Sequence, residues 1–164
     1  MNTTNATATT APIDLVKKHV FVKTTPERAF DVFTKQMGTW WPLASHHISK
    51  VEAKTTVMEP FVGGRWFERG VDGSECEWGK VLAWEPPGRL VLKWEISADW
   101  QHDAQLLTEV EVRFTAENGG TRVDLEHRLL RNFGPRADEM RGIFDGQGGW
   151  NALLAAYTAG VSAA

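Results

Sequence analysis

A single cysteine, Cys76, excludes an internal disulfide and any zinc site built from several thiolates, and it fits a reducing compartment. Basic excess is missing too: 18 Lys and Arg stand against 21 Asp and Glu, a formal net charge of -3. The electrostatic footprint of a nucleic-acid or anionic-membrane binder is therefore absent. No apolar run approaches the ~18 residues that a membrane span requires. Residues 1–12 hold neither a basic block nor an apolar one and read as a disordered tail rather than a signal peptide, with the cytoplasm as the expected location. Residues 13–164 then make one domain, which at this size buries ~70% of the surface its unfolded chain exposes. That is enough for a sizeable core with a cavity in it.

Tyrosine occurs once, whereas tryptophan occurs eight times. Tryptophan in such numbers either fills the core of a thin sheet or lines a pocket, since ligand sites are mostly apolar and aromatic with a few polar groups. The richest apolar periodicity lies near the carboxyl end, where Trp150, Leu153, Leu154 and Tyr157 recur at steps of three and four and mark one face of a helix. Continued backward through Phe144, Ile143 and Met140, the pattern predicts a helix of about 25 residues starting near Pro135. Gly142, Gly146, Gly148 and Gly149 fall inside it, each costing ~1 kcal/mol relative to alanine in a helix interior. Either the helix breaks there, or the bare backbone lets it approach the sheet or a ligand closely.

Before that helix the pattern is mostly of period two. Lys17 to Lys23 predicts a strand, after which Thr25 caps a helix with Pro26 at its first position and Glu27 in its first turn. Gly38 divides this region into two short helices, and Trp41-Pro42 ends it. Further strands are predicted over Val51 to Met58, Arg65 to Val71 (closed by an Asp72-Gly73 turn), and Glu75 to Trp84, where apolar groups on both faces call for a bulge near Gly79. A strand with Leu90, Leu92, Trp94 and Ile96 on one face follows. The next has Val110, Val112 and Phe114 inward, and the last has Val123, Leu125, His127 and Leu129 inward.

Gly63-Gly64-Arg65-Trp66, Gly79-Lys80-Val81-Leu82 with Glu85-Pro86-Pro87, the strand end Lys93-Trp94 and the closing Gly149-Trp150 together resemble the family named after the activator of the 90-kDa heat-shock protein ATPase. That family lies within the START-like, birch-pollen-allergen-like (SRPBCC) superfamily, and the resemblance spans roughly Val16 to Thr158. It implies an α+β helix-grip fold: a curved antiparallel sheet of about seven strands around a long C-terminal helix, two short helices after the first strand, and a cavity between sheet and helix. It also implies a small apolar or aromatic ligand, in a superfamily of lipid and hormone binders, cyclases and ring-hydroxylase subunits. Trp40-Trp41-Pro42 and Leu125-Glu126-His127-Arg128 resemble bacterial stand-alone members. A chaperone partner is suggested by the family name alone, and the activators of that name carry an additional amino-terminal domain.

Face alternation combined with this fold places Trp41, Trp66, Glu68, Trp78, Leu92, Trp94, His127 and Phe144 as the ligand-lining set. Within it, His127 and Glu68 are the weak candidates for an acid and base, because an imidazole looking into a cavity can move protons near neutrality. The competing reading is that His127 bonds a neighbour in the core. His46 and His47 fall in the loop at the expected cavity mouth, yet no third ligand stands at a metal-binding interval. The run Gly73 to Lys80 lacks the spacing and terminal hydroxyl of a phosphate loop, and Asp145 to Gly149 follows no strand, so no cofactor is expected. Glu75 and Glu77 flank Cys76 and oppose a thiolate, and no G-x-S-x-G elbow occurs. The expected function is thus binding of a small hydrophobic ligand, the alternative being a cyclase, dehydratase or hydrolase acting on an aromatic or polyketide-like substrate. An exposed Trp100 permits a homodimer.

Overall fold

The computed structural model describes residues 14–163; the tail expected over residues 1–12 lies outside them. Seven strands, β1 (Val16–Val22), β2 (Ala53–Met58), β3 (Arg65–Gly70), β4 (Glu75–Glu85), β5 (Arg89–Trp94), β6 (Thr108–Glu117) and β7 (Gly120–Arg128), form one antiparallel sheet in the order β1-β7-β6-β5-β4-β3-β2. β2 to β7 are a meander. The chain crosses from one sheet edge to the other between β1 and β2, through α1 (Pro26–Phe33) and a 3-10 turn, Met37–Thr39. Thr25 caps α1 by accepting from the Arg28 N–H at 3.2 Å, with Pro26 in the first turn, as the sequence predicts. The sheet curls around α3 (Trp150–Ala163), whose buried residues Trp150, Leu153, Leu154, Tyr157 and Val161 continue the predicted stripe. Tyr157 Oη donates to the Ala29 carbonyl at 2.8 Å and Arg28 to the Val161 carbonyl at 2.8 Å, locking α3 to α1. This is the helix-grip architecture.

The bulge expected near Gly79 is present: Trp66 pairs with Gly79 and Phe67 with Glu77, which leaves Trp78 as the extra residue. A second, unexpected irregularity lies between Val81 and Ala83, and it turns Leu82 outward. Together the two put Trp78 and Val81 in the core and let Trp84 pack edge-on against Phe30 at 5.0 Å. Gly79 is required by close approach, because a Cβ there would collide with the Lys93 carbonyl.

Two expectations are corrected. The helix predicted from Pro135 is divided into a 3-10 turn (Leu130–Arg136), α2 (Ala137–Asp145) and α3, with residues 146–149 between the last two. Gly146 is extended, and a Cβ on Gly149 would strike the Ile143 and Phe144 carbonyls. Of the two glycine alternatives the break is the one realised: the helix ends, and the bare backbone at Gly149 folds tightly on the end of α2 rather than against the sheet. Leu129 was expected inward on β7. Instead the strand ends at Arg128, Leu129 turns with φ 63, and Leu130 becomes the buried residue. On the outer face charged residues pair across strands, as Arg128 does with Glu109 at 3.0 Å and Glu111 at 3.3 Å. No helix among the described residues is long and apolar enough to cross a membrane.

Candidate functional site

The joint between α2 and α3 holds three glycines, Gly146, Gly148 and Gly149, and a cleft of about 680 Å³ opens beside it. Trp78 and Trp94 come to it from the sheet, Trp41 from the segment after the 3-10 turn, Phe144, Trp150 and Leu153 from the helices, and Ile96 and Trp100 from the loop after β5. Ser45, His46, His47 and Ile48 form the opposite rim. The walls brace one another: Trp41 meets Trp78 at 5.2 Å and Trp94 meets Phe144 at 5.4 Å, contacts worth ~0.5–1.5 kcal/mol beyond their buried area. Trp100 sits in left-handed backbone (φ 60) with its ring half-exposed. Holding a bulky residue there costs about 1–3 kcal/mol, which the surrounding loop must supply.

Buried glutamates anchor both rim loops. Glu95, beneath the loop that carries Trp100, accepts from His102 Nε2 and Lys93 Nζ, both at 2.8 Å. Those two donors hold its carboxyl below the usual range against the opposing effect of burial. Glu68, on β3, is 1% exposed and accepts from the Ile48 N–H at 2.7 Å, Trp78 Nε1 at 2.7 Å and the Ser49 N–H at 3.3 Å. Its Oε2 lies 3.6 Å from His47 Nδ1.

Of the residues expected to line the site, Trp41, Trp78, Trp94 and Phe144 do so, whereas Trp66, Glu68, Leu92 and His127 are buried one layer behind. His127 is packed 4.4 Å from Phe144 and 5.1 Å from Trp94, ring to ring. Its Nδ1 accepts from Trp150 Nε1 at 3.1 Å, which assigns the proton to Nε2; that atom faces Thr108 Oγ1 at 3.2 Å, whose hydroxyl donates in turn to the Trp94 carbonyl. Burial lowers its pKa to about 3, so it is neutral. Both nitrogens are committed. His127 and Glu68 share no hydrogen-bond partner among the described residues. Strand alternation gives the correct face for His127, but Trp94, Phe144 and Trp150 cover it.

His46 also uses both nitrogens. The Gly148 carbonyl, 2.7 Å from Nε2, can only accept, so Nε2 carries the proton and Nδ1 accepts from Ser45 Oγ at 2.7 Å. The imidazole thus ties one rim of the cleft to the α2–α3 joint. His47 differs. Its Nδ1 is buried without a hydrogen bond, and its side chain remains 25% exposed in the cleft wall. Of the wall residues outside the expected set, the paired histidines after Trp41-Pro42, Trp100 in a polar loop, the glycines from Gly142 to Gly149, Ile96 on the face of Trp94 and the apolar stripe from Trp150 left a sequence signal. Cys76 is half-buried, and burial together with Glu68 and Glu77 raises its thiol pKa.

The family model described as activator of Hsp90 ATPase homolog 1-like protein matches residues 23–159. Among solved structures the chain resembles an anthrahydroquino-gamma-pyrone synthase, Txn09, with 38% identity, a TM-score of 0.62, and coverage of 92% of this chain and 99% of that one. It also resembles CalC from Micromonospora echinospora, a self-sacrificing resistance protein, at 27% identity, TM-score 0.66 and coverage of 93% and 97%. An AHSA1-like protein from Aeromonas hydrophila shares the fold at 21% identity, TM-score 0.59 and coverage of 91% and 92%. No functionally curated protein matches the chain.

Proposed function

The chain belongs to the activator of Hsp90 ATPase homolog 1-like family, and from that premise we propose that it binds a flat, aromatic, polyketide-type molecule in the cleft between sheet and helices. The observation that carries this reading is the aromatic lining of a cleft of about 680 Å³, a size within the ~300–1,000 Å³ typical of small-molecule sites. Trp41, Trp78, Trp94, Trp100 and Phe144 offer ring faces and edges to a planar ligand. Ser45, His46 and His47 are polar side chains at its rim. No Lys, Arg, Asp or Glu is among the lining residues, which favours a neutral guest over a charged one.

A test is titration with 2-hydroxyanthraquinone while tryptophan fluorescence is followed. Saturable quenching is expected, with the dissociation constant raised about tenfold or more in Trp100→Ala, a loss of ~1.4 kcal/mol. Absence of saturable quenching in the parent protein would overturn the reading. A second reading, that the bound molecule is also ring-closed, is favoured by the 38% identity to a pyrone synthase along nearly the whole chain. Mass-neutral conversion of a bound phenolic precursor to a cyclised isomer would support it. Return of unchanged precursor would leave binding as the activity.

A further inference from the structure

Glu68 is a buried carboxylate with an uneven set of partners. Oε1 receives two short bonds, from the Ile48 N–H and Trp78 Nε1, both at 2.7 Å. Oε2 receives only the Ser49 N–H at 3.3 Å and otherwise faces His47 Nδ1 at 3.6 Å. No Lys or Arg pairs with Glu68 among the described residues, and the one basic side chain within 4.0 Å of its carboxyl group among them is His47, at 3.6 Å. A carboxylate withdrawn from water gains most from a partner that can become positive, and only the imidazole can do so here. His47 in turn has its buried Nδ1 3.6 Å from that oxygen, and the nitrogen has no hydrogen-bond partner. Nδ1 is buried while the side chain as a whole is 25% exposed, so the exposed part of His47 lies away from that nitrogen, and the residue lines the cleft.

We propose that His47 and Glu68 form a proton-accepting dyad at the cleft rim, built to take the proton of a phenolic or enolic hydroxyl on the aromatic guest; this rests on the ligand reading above. His47 Nε2 is the acceptor, and Glu68 is a positioning residue that holds Nδ1–H toward Oε2 and stabilises the imidazolium that forms. A separation of 3.6 Å is of the kind that tightens once a substrate is in place. The transfer balances without a co-reactant: the ligand O–H bond breaks, an Nε2–H bond forms, and the negative charge stays on the ligand oxygen. In the ring-closing reading that oxygen adds to the far carbon of a C=C bond conjugated with a ketone. The proton on Nε2 then goes to the carbon beside the carbonyl, giving an isomer of the starting compound. His127 and His46 cannot act in this way, since both nitrogens of each are already committed.

The test uses 2-hydroxyanthraquinone again, now as an indicator whose absorption moves to the red when its hydroxyl ionises, at a pH where the free dye is neutral. Bound to the parent protein, the dye is expected to show the phenolate spectrum. His47→Gln is expected to leave the dye neutral and to bind it about tenfold more weakly, because proton transfer no longer adds to the affinity, and Glu68→Gln to bind it with most of the red shift lost. A neutral dye in the parent complex, or an equal shift in His47→Gln, overturns the dyad. A full red shift in the Glu68→Gln complex, with the shift abolished only in His47→Gln, removes the positioning role and leaves Glu68 as a loop anchor. If the parent protein fails to bind the dye, the ligand reading falls first and the dyad with it.

Discussion

His127 lies behind the aromatic wall of the cleft and His47 at its rim, and the two imidazoles are held in contrasting ways. His127 is closed: Trp150 Nε1 donates to one nitrogen, Thr108 meets the other, and rings cover it on the cleft side. His47 is open: one nitrogen faces a buried carboxylate at 3.6 Å without a hydrogen bond, and part of its ring reaches the cleft. An inward-pointing histidine is therefore not by itself a sign of chemistry. What distinguishes a structural imidazole from a reactive one is whether its hydrogen-bonding capacity is used up within the fold.

The comparison can be broken most sharply through the wall itself. Trp150 is 1% exposed and bonded to His127, so Trp150→Ala should destabilise the protein by ~3–5 kcal/mol, read from the denaturation midpoint in urea. A loss below ~1 kcal/mol would mean the wall is not a structural layer. Next in size is the closed histidine. His127→Leu leaves Trp150 Nε1 without its acceptor and should cost about 1–3 kcal/mol near neutral pH.

The same substitution should also alter the acid limb of the stability curve. Above an unfolded-state value of about 6.5, His127 is neutral in both states and contributes no pH dependence. As pH falls below that value the unfolded chain takes the proton while the folded one, with its pKa lowered to about 3, does not. Stability should decline between those limits in the parent protein and decline less steeply in His127→Leu. Parallel curves would show that the ring is not held neutral. The smallest effect is expected from His46→Ala, which removes the tie to the Gly148 carbonyl and should cost about 0.5–1.5 kcal/mol. Faster amide exchange at residues 146–149 would accompany it, and unchanged exchange would mean the glycine joint does not depend on this tie.

Much of the frame was legible because it is written in local signals. The apolar stripe from Trp150 to Tyr157, the Thr25-Pro26 helix start, the Asp72-Gly73 turn and the irregularity near Gly79 all lie in short stretches whose residues restrict their own backbone. Leu129 was misplaced because nothing in a leucine signals a left-handed φ; the strand ends there only because the chain must turn into the 3-10 segment. Of the site, the aromatic character and the position of the paired histidines at the mouth were readable, whereas the division of labour among His46, His47 and His127 was not.

Side-chain periodicity thus determined which residues face inward and where a helix is gripped, since direction alternates along a strand and recurs along a helix regardless of distant neighbours. Tertiary structure alone decided depth and pairing. Whether an inward group ends in the cleft wall or behind it depends on what packs over it from another element, as Trp150 and Phe144 pack over His127. The approach of Glu68 to His47 likewise exists only because the rim loop folds back over β3, donating the Ile48 and Ser49 N–H groups to the same carboxylate.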